Sequence, residues 1–110
     1  MIEKTVLKSD IITEKNNNKS SFSLEDNIID GLLDKFGIQA QIFQTMEEMC
    51  ELLKELEKNV NRGADNKLDI MKECADVEFM LKQIKRYYKF NKDEYRKIQE
   101  DKMLKAATNL

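Results

Sequence analysis

Residues 38–58 read IQAQIFQTMEEMCELLKELEK, and this stretch decides the fold. Its apolar residues recur in alternating steps of four and three, and the series continues just past the stretch. The series is Ile42, Met46, Met49, Leu53, Leu56 and Val60. This spacing predicts a long helix whose apolar side packs along another helix. The polar run at residues 59–63 is expected to end it.

Two helices are predicted to flank this one. The first opens at Ser23, whose hydroxyl is a typical helix cap, and ends at Gly37. Its expected inward residues are Leu24, Ile28, Ile29, Leu32 and Leu33. The other flanking helix covers residues 66–88. Its expected inward residues are Ile70, Cys74, Val77, Leu81, Ile84 and Tyr88.

A last helix is predicted to open at Asn91, because Glu94 three residues later completes a capping box. It runs through Tyr95 and Ile98 towards Leu104. Short loops between consecutive helices predict antiparallel neighbours. The expected fold is therefore all-α, a four-helix-type bundle of antiparallel helices.

Composition agrees with a helical chain of one domain. The 110 residues include no proline and three glycines, with 36% charged and 41% hydrophobic residues. Residues 23–110 are expected to form the single domain. Residues 1–22 are expected to be a partly flexible N-terminal extension, because residues 16–21 are a polar break.

Charge and hydropathy narrow the function classes. The net charge of −2 gives no electrostatic footprint for nucleic acid. Neither a membrane-spanning apolar run nor the apolar core of a signal peptide is present, so we expect no membrane association and a cytoplasmic location. Cys50 and Cys74 occupy apolar positions and are expected as buried reduced thiols. The absence of histidine argues against a thiol nucleophile and a conventional zinc site.

Two acidic motifs carry the candidate chemistry. Glu47, Glu48 and Glu51 form E-E-x-x-E, and Glu73 and Asp76 form E-x-x-D on the next predicted helix. Side chains three apart lie roughly 5–6 Å apart on a helix, so each pair can close on one small object. Crowded carboxylates repel each other and take up protons unless a cation lies among them. Mg²⁺, a hard ion that prefers oxygen ligands, is the natural occupant.

Position on the helices decides how much weight these acids carry. A polar stripe runs beside the apolar one on residues 38–58, and alone it is compatible with an ordinary solvated face. Its members are Gln41, Gln44, Glu48, Glu51 and Glu55. Glu73 instead lies near the apolar side of its helix, where a carboxylate needs pairing or coordination. A salt bridge to Lys72, Lys54 or Arg62 is the alternative to a metal ion.

From Phe36 to about Leu104 the chain resembles the MazG-like all-α nucleoside triphosphate pyrophosphohydrolases, a superfamily that includes the dimeric dUTPases. The signature of that family, E-E-x-x-E followed across a helix–loop–helix gap by E-x-x-D, is matched by both acidic motifs. Leu52 and Val77 match the apolar residues that follow each motif. Phe36-Gly37 and the glutamines at 41 and 44 resemble the entry segment of compact phage-type members.

The resemblance implies that water attacks the α-phosphorus of a nucleoside triphosphate, giving a nucleoside monophosphate and pyrophosphate. It implies Mg²⁺, with Mn²⁺ as a substitute, held by Glu48, Glu51, Glu73 and Asp76. Glu47 is the implied base or a group behind the metal ligands, and it can exchange roles with Glu48 as the catalytic residue.

Substrate contacts are expected around these acids. Lys54 and Lys72 are candidate cations for the phosphate tail, or else exposed surface residues. Gln41 and Gln44 are candidates for hydrogen bonds to the base. Met80 suits contact with a base or ribose and equally suits the bundle core.

The family's assembly implies a homodimer or homotetramer in the cytoplasm of a bacterium or of a phage-infected cell. Two other readings remain open on the residues alone. One is a catalytically weak or inactive MazG-like protein that binds nucleotides or a nucleotide signal. The other is a helical interaction module.

Overall fold

The computed structural model describes residues 23–110 and contains four α-helices in that range, with no strand among them. The helices are α1 (Leu24–Phe36), α2 (Ile38–Arg62), α3 (Lys67–Tyr87) and α4 (Lys92–Ala107). The all-α prediction is therefore confirmed. The expectations for residues 1–22 lie outside the described residues.

Side-chain caps and glycines set most of the helix ends. The Ser23 hydroxyl accepts from the Asp26 backbone N–H at 3.1 Å, and the Asn91 side chain accepts from the Glu94 N–H at 2.9 Å. Gly37, with φ of 84°, separates α1 from α2, and Gly63, with φ of 64°, ends α2. Positive φ is accessible to glycine at little cost, so both positions turn the chain sharply. The predicted starts of α1 and α4 are confirmed.

Helix α2 is longer than predicted, because residues 59–62 of the polar run remain helical and only Gly63 ends the helix. The helix continues to Arg62. The side chain of Asn59 donates to the Ala64 carbonyl at 3.1 Å and to Asn66 Oδ1 at 3.3 Å. The polar side chain therefore stabilises the α2–α3 loop from within the helix, and Gly63 alone turns the chain.

Helices α2 and α3 make the main packing interface, and α1 contacts both of them. Gln41 near the start of α2 contacts Gln83 near the end of α3, whereas Glu55 near the end of α2 contacts Asn66 before α3. Helix α4 has no buried residue and does not pack closely against the other three helices within the described range. The packed part of the chain is thus a three-helix unit.

The apolar stripe of α2 faces outward, and the expectation that it packs inside the chain is wrong. The exposed fractions are Met46 55%, Met49 51%, Leu53 67%, Leu56 43% and Val60 78%. The inner side of α2 instead buries Gln41 and Thr45. The apolar stripe was predicted from its spacing, but the polar stripe beside it is the one that meets α3.

Burial of the other apolar positions is also partial. Ile29, Leu32 and Met80 are the buried apolar residues of the described range. Cys50 and Cys74 are both exposed free thiols, which contradicts their expected burial. They lie on outer faces of α2 and α3 rather than between the helices. In this range, none of the four helices has the length and apolar run that a membrane crossing requires.

Candidate functional site

Three carboxylates from two helices meet on the inner side of the α2–α3 pair. Glu48 comes from α2, and Glu73 and Asp76 come from successive turns of α3. One oxygen from each of the three lies within 4.8 Å of the others. The structure therefore brings together members of both acidic motifs, as the helical spacing predicted.

Glu73 is the most constrained member of the cluster. Its Oε2 atom is buried and has no hydrogen-bond partner among the described residues. Burial first, and then the negative charges of Asp76, Glu48, Glu51 and Glu55, raise the pKa of Glu73 above its usual value. The oxygen thus lies in a negative, partly desolvated place that disfavours its own charge.

The alternative salt bridge to Glu73 is not formed. Among the ion pairs of the described range, none involves Glu73, and Arg62 pairs with Glu57 at 3.9 Å instead. A buried carboxylate oxygen without a partner is uncommon in native proteins. Three converging carboxylate oxygens, one of them unpaired, fit the ligand preference of a hard divalent cation such as Mg²⁺. The residues present are therefore suitable ligands for such an ion.

The other two acids of the first motif lie outside the cluster. Glu51 is exposed, and its charge reaches Glu73 without its oxygens joining the three that converge. Glu47 is exposed as well and is not among the three converging residues. Three of the four predicted metal ligands are therefore close together, and the fourth is a neighbour.

A cavity of about 360 Å³ adjoins the cluster. Five predicted site residues line it: Glu48, Asp76, Gln41, Gln44 and Met80. Its volume falls within the range of small-molecule sites. The acidic cluster thus opens into a space where an organic ligand has room.

The two predicted glutamines have different roles in this cavity. Gln44 is exposed, and its Nε2 donates to Glu48 Oε1 at 2.8 Å, which orients that carboxylate. Gln41 is buried and donates to Gln83 Oε1 at 2.6 Å. Met80 is 6% exposed, and its sulfur accepts from Gln83 Nε2 at 3.4 Å. Met80 therefore packs in the core and lines the cavity at once.

The predicted phosphate-binding lysines do not reach this space. Lys54 and Lys72 are exposed and are not among the lining residues of the cavity. Among residues 23–110, the lining contains no lysine or arginine. Positive charge for a phosphate tail would therefore have to come from a metal ion or from outside the described part of the chain.

Five lining residues were not predicted as site residues: Leu32, Phe36, Ala40, Phe79 and Gln83. A signal for two of them is present in the sequence. Phe79 and Gln83 follow Asp76 by three and seven residues, which places them on one helical face with it. Phe36 stands at the α1–α2 junction, where no spacing rule relates it to the acids.

No protein-family model, curated protein or solved structure matches the chain. The acidic cluster and the cavity beside it are therefore the features of the chain that bear on its function.

Proposed function

We propose that the protein is a Mg²⁺-dependent nucleoside triphosphate pyrophosphohydrolase, releasing a nucleoside monophosphate and pyrophosphate. The observation that carries the proposal is the convergence of Glu48, Glu73 and Asp76, with the unpartnered Glu73 oxygen, at the mouth of a ligand-sized cavity. Mn²⁺ would be an acceptable substitute for Mg²⁺, because both ions prefer carboxylate oxygens.

In this proposal the cluster holds the metal ion, and Glu51 adds negative charge beside it. A bound divalent ion would neutralise phosphate oxygens and acidify a water molecule. Gln44 fixes the Glu48 carboxylate by its hydrogen bond. Glu47, exposed next to Glu48, is the proposed base that orients the attacking water and accepts its proton.

The cavity would take the nucleoside. Phe36 and Phe79 offer ring faces or edges to a base, and Met80 offers a polarisable contact. Gln44 is the exposed amide of the lining, so its carbonyl oxygen and second N–H can bond a base while the bond to Glu48 is kept. Gln41 and Gln83 would form the cavity wall, held by the hydrogen bond between them, and would not contact the base directly.

Pyrophosphate release from each common NTP and dNTP, with Mg²⁺ and then Mn²⁺, tests the proposal. Glu73→Gln should keep the helical circular dichroism spectrum and lose turnover. Glu78→Gln is the matched control, because it makes the same charge change on the exposed side of α3. Wild-type protein without turnover on any of these substrates contradicts the proposal, as does a fully active Glu73→Gln variant.

A second candidate is a protein that binds nucleotides without hydrolysing them. The described part of the cavity lining has no lysine or arginine, which favours this candidate because phosphoryl chemistry depends on neutralising charge. Isothermal titration of an intact nucleotide with Mg²⁺, followed by analysis of the ligand, separates the two. Binding with no pyrophosphate released supports the second candidate.

We also propose a MazG-like antiparallel arrangement that assembles as a homodimer or homotetramer. The contacts Gln41–Gln83 and Glu55–Asn66 support the antiparallel direction. The exposed α2 stripe supports assembly, since a 3–4 spaced apolar stripe is complementary to a second copy of itself. Soluble monomers seldom expose a continuous apolar surface of this kind.

Light scattering after size exclusion tests the assembly. Leu53→Glu places a charge in the centre of the stripe and should give a monomer. Leu104→Glu is the matched control, because Leu104 is similarly exposed on α4. If the wild type is instead a monomer at high concentration, the stripe would bind a different protein, as expected for a helical interaction module.

A further inference from the structure

A second cavity, of about 450 Å³, lies between α1, the end of α3 and the start of α4. It shares no lining residue with the cavity beside the acidic cluster. Five cationic side chains line it: Lys82, Lys85, Arg86, Lys89 and Lys92. The carboxylates that residues 23–110 contribute to the lining are Glu25 and Asp26, so among these residues cations exceed anions five to two.

Two of the five cations hold the walls together. Lys82 Nζ lies 2.8 Å from Glu25 Oε2 across α1 and α3. Arg86 donates to both carboxylate oxygens of Asp30, at 2.6 and 2.8 Å. A bidentate pair of this kind fixes the guanidinium in one plane. These contacts join α1 to α3 and leave the remaining cations to face the space between them.

The other three cations have no carboxylate partner within the described residues. Lys85 is half-buried, and its Nζ lies 4.6 Å from the centre of the Tyr95 ring. Lys89 and Lys92 are exposed at the opening. Three unpaired cations around one concave space form a positive site that attracts an anion.

Aromatic rings complete this wall. The Phe90 and Tyr95 rings are 5.4 Å apart with an interplanar angle of 46°. Phe90 is 43% exposed, so part of its ring remains open to a flat partner. A site that pairs unbalanced positive charge with an open aromatic surface suits a ligand that has both phosphate groups and a planar base.

Lys89 adopts a backbone conformation that lysine seldom takes. Its φ is 54°, the only positive value outside glycine in the described range. This left-handed conformation belongs to the C-terminal cap of α3, since the Lys89 N–H donates to the Arg86 carbonyl at 3.2 Å and the Phe90 N–H donates to the Lys85 carbonyl at 3.0 Å. Here it sets the turn between α3 and α4 and places a lysine, where glycine would fit more easily, at the mouth of the cavity.

We propose that this basic cavity binds a nucleoside diphosphate or triphosphate without a divalent ion. Lys85, Lys89 and Lys92 contact the phosphates, and the base lies against Phe90 and Tyr95. The site is independent of the acidic cluster, where uncompensated carboxylates repel phosphate when no metal ion is bound.

Titration calorimetry of the full chain with EDTA and low salt tests the site, using ADP, pyrophosphate and adenosine as probes. ADP should bind, pyrophosphate should bind more weakly, and adenosine should not bind measurably. Raising the salt concentration should weaken ADP binding, because the charges are near the surface. Pyrophosphate binding as tightly as ADP overturns the nucleotide assignment, and absence of binding by both overturns the site.

Variants separate a binding role from a structural one. Lys85→Gln/Lys89→Gln should weaken ADP binding by about tenfold, since two charge contacts are lost. Lys67→Gln/Lys105→Gln is the charge-matched control at exposed positions elsewhere, and it should bind ADP as the wild type does. Unchanged affinity in the Lys85→Gln/Lys89→Gln variant contradicts the proposal.

Lys89→Gly should give a combination of results that misfolding cannot produce. It removes the charge and relieves the positive φ, so the melting temperature should rise while ADP affinity falls. A variant that is both stabilised and unimpaired in binding excludes Lys89 from the site. The result is independent of pyrophosphohydrolase activity, because the titrations contain no divalent ion, and Glu73→Gln should bind ADP normally.

Discussion

Gln41 donates a 2.6 Å hydrogen bond to Gln83 between α2 and α3, and both side chains are buried. Amides thus occupy positions where two facing helices usually place apolar residues. The pair is stable because each helix supplies the partner that the other needs. Removal of one partner leaves a buried polar group unsatisfied, which costs more than the bond itself contributes.

Gln83→Leu should therefore destabilise the protein by about 1–3 kcal/mol, the cost of a buried amide without its partner. Gln41→Leu/Gln83→Leu should recover most of that loss, since neither amide remains. Urea unfolding of both single variants and the double variant measures the coupling. A double variant as unstable as the sum of the two single changes would show that the pair is not a unit.

The raised pKa of Glu73 predicts a pH-dependent stability of the metal-free protein. The folded state binds the Glu73 proton more tightly than the unfolded state, whose pKa is near 4.5. This group therefore destabilises the fold at neutral pH, and the destabilisation is lost as pH falls through the raised pKa towards 4.5.

Glu73→Gln should accordingly melt above the wild type at pH 7 in EDTA, and the gap should narrow at pH 4. Excess Mg²⁺ should raise the melting temperature of the wild type and have little effect on the variant. The Glu78→Gln control should melt like the wild type in EDTA and respond to Mg²⁺ as it does. A variant less stable than the wild type in EDTA at pH 7 would count against the pKa argument.

Asn66 connects the α2–α3 loop to α2 and gives a third prediction. Its Nδ2 donates to the Glu55 backbone oxygen at 2.8 Å and to Glu55 Oε1 at 2.9 Å. The Asn66 bond, and then Lys58, lower the pKa of Glu55. The stability from this interaction is therefore present above pH 4.5 and lost as pH falls through the lowered pKa.

Asn66→Asp should be less stable than Asn66→Ala at pH 7, because a second carboxylate then faces Glu55. The order should reverse or level near pH 4, where one of the two acids can take a proton and donate it to the other. Thermal melts of both variants across this pH range test the idea. Equal melting temperatures at pH 7 would mean that the carboxylates do not meet.

Local rules predicted the helix ends better than the helix faces. Ser23 and Asn91 act as caps, and Gly37 turns the chain, because each depends on the chemistry of a few adjacent residues. The predicted end of α2 near Asn59 is too early. The Asn59 side chain bonds across the loop to Asn66 instead of competing with the helix. Because that contact joins two helices, the spacing of residues along one helix cannot predict it.

The faces of α2 show a different limit of prediction. Periodicity located an apolar stripe and a polar stripe side by side, but it carries no information on which one meets α3. The buried hydrogen bonds of Gln41 and Asn66 hold the polar stripe, and not the apolar stripe, against α3. The acidic cluster was predictable because Glu48 lies in the polar stripe of α2 and Glu73 lies on the side of α3 that meets it. The position of Phe36 in the cavity depends on the turn between α1 and α2, which periodicity does not predict.

The last prediction separates the two adjacent glutamates of α2. Glu48 lies in the cluster, whereas Glu47 is exposed outside it. Glu48→Gln should weaken Mn²⁺ binding, measured by electron paramagnetic resonance, by about tenfold or more, since losing a direct ligand should cost at least as much as losing a hydrogen-bond partner behind a ligand. Glu47→Gln should bind Mn²⁺ like the wild type, so any loss of turnover in that variant reports on proton transfer. If instead Glu47→Gln loses the metal and Glu48→Gln keeps it, the roles of the two residues are exchanged, and the cluster must re-form around a different rotation of α2.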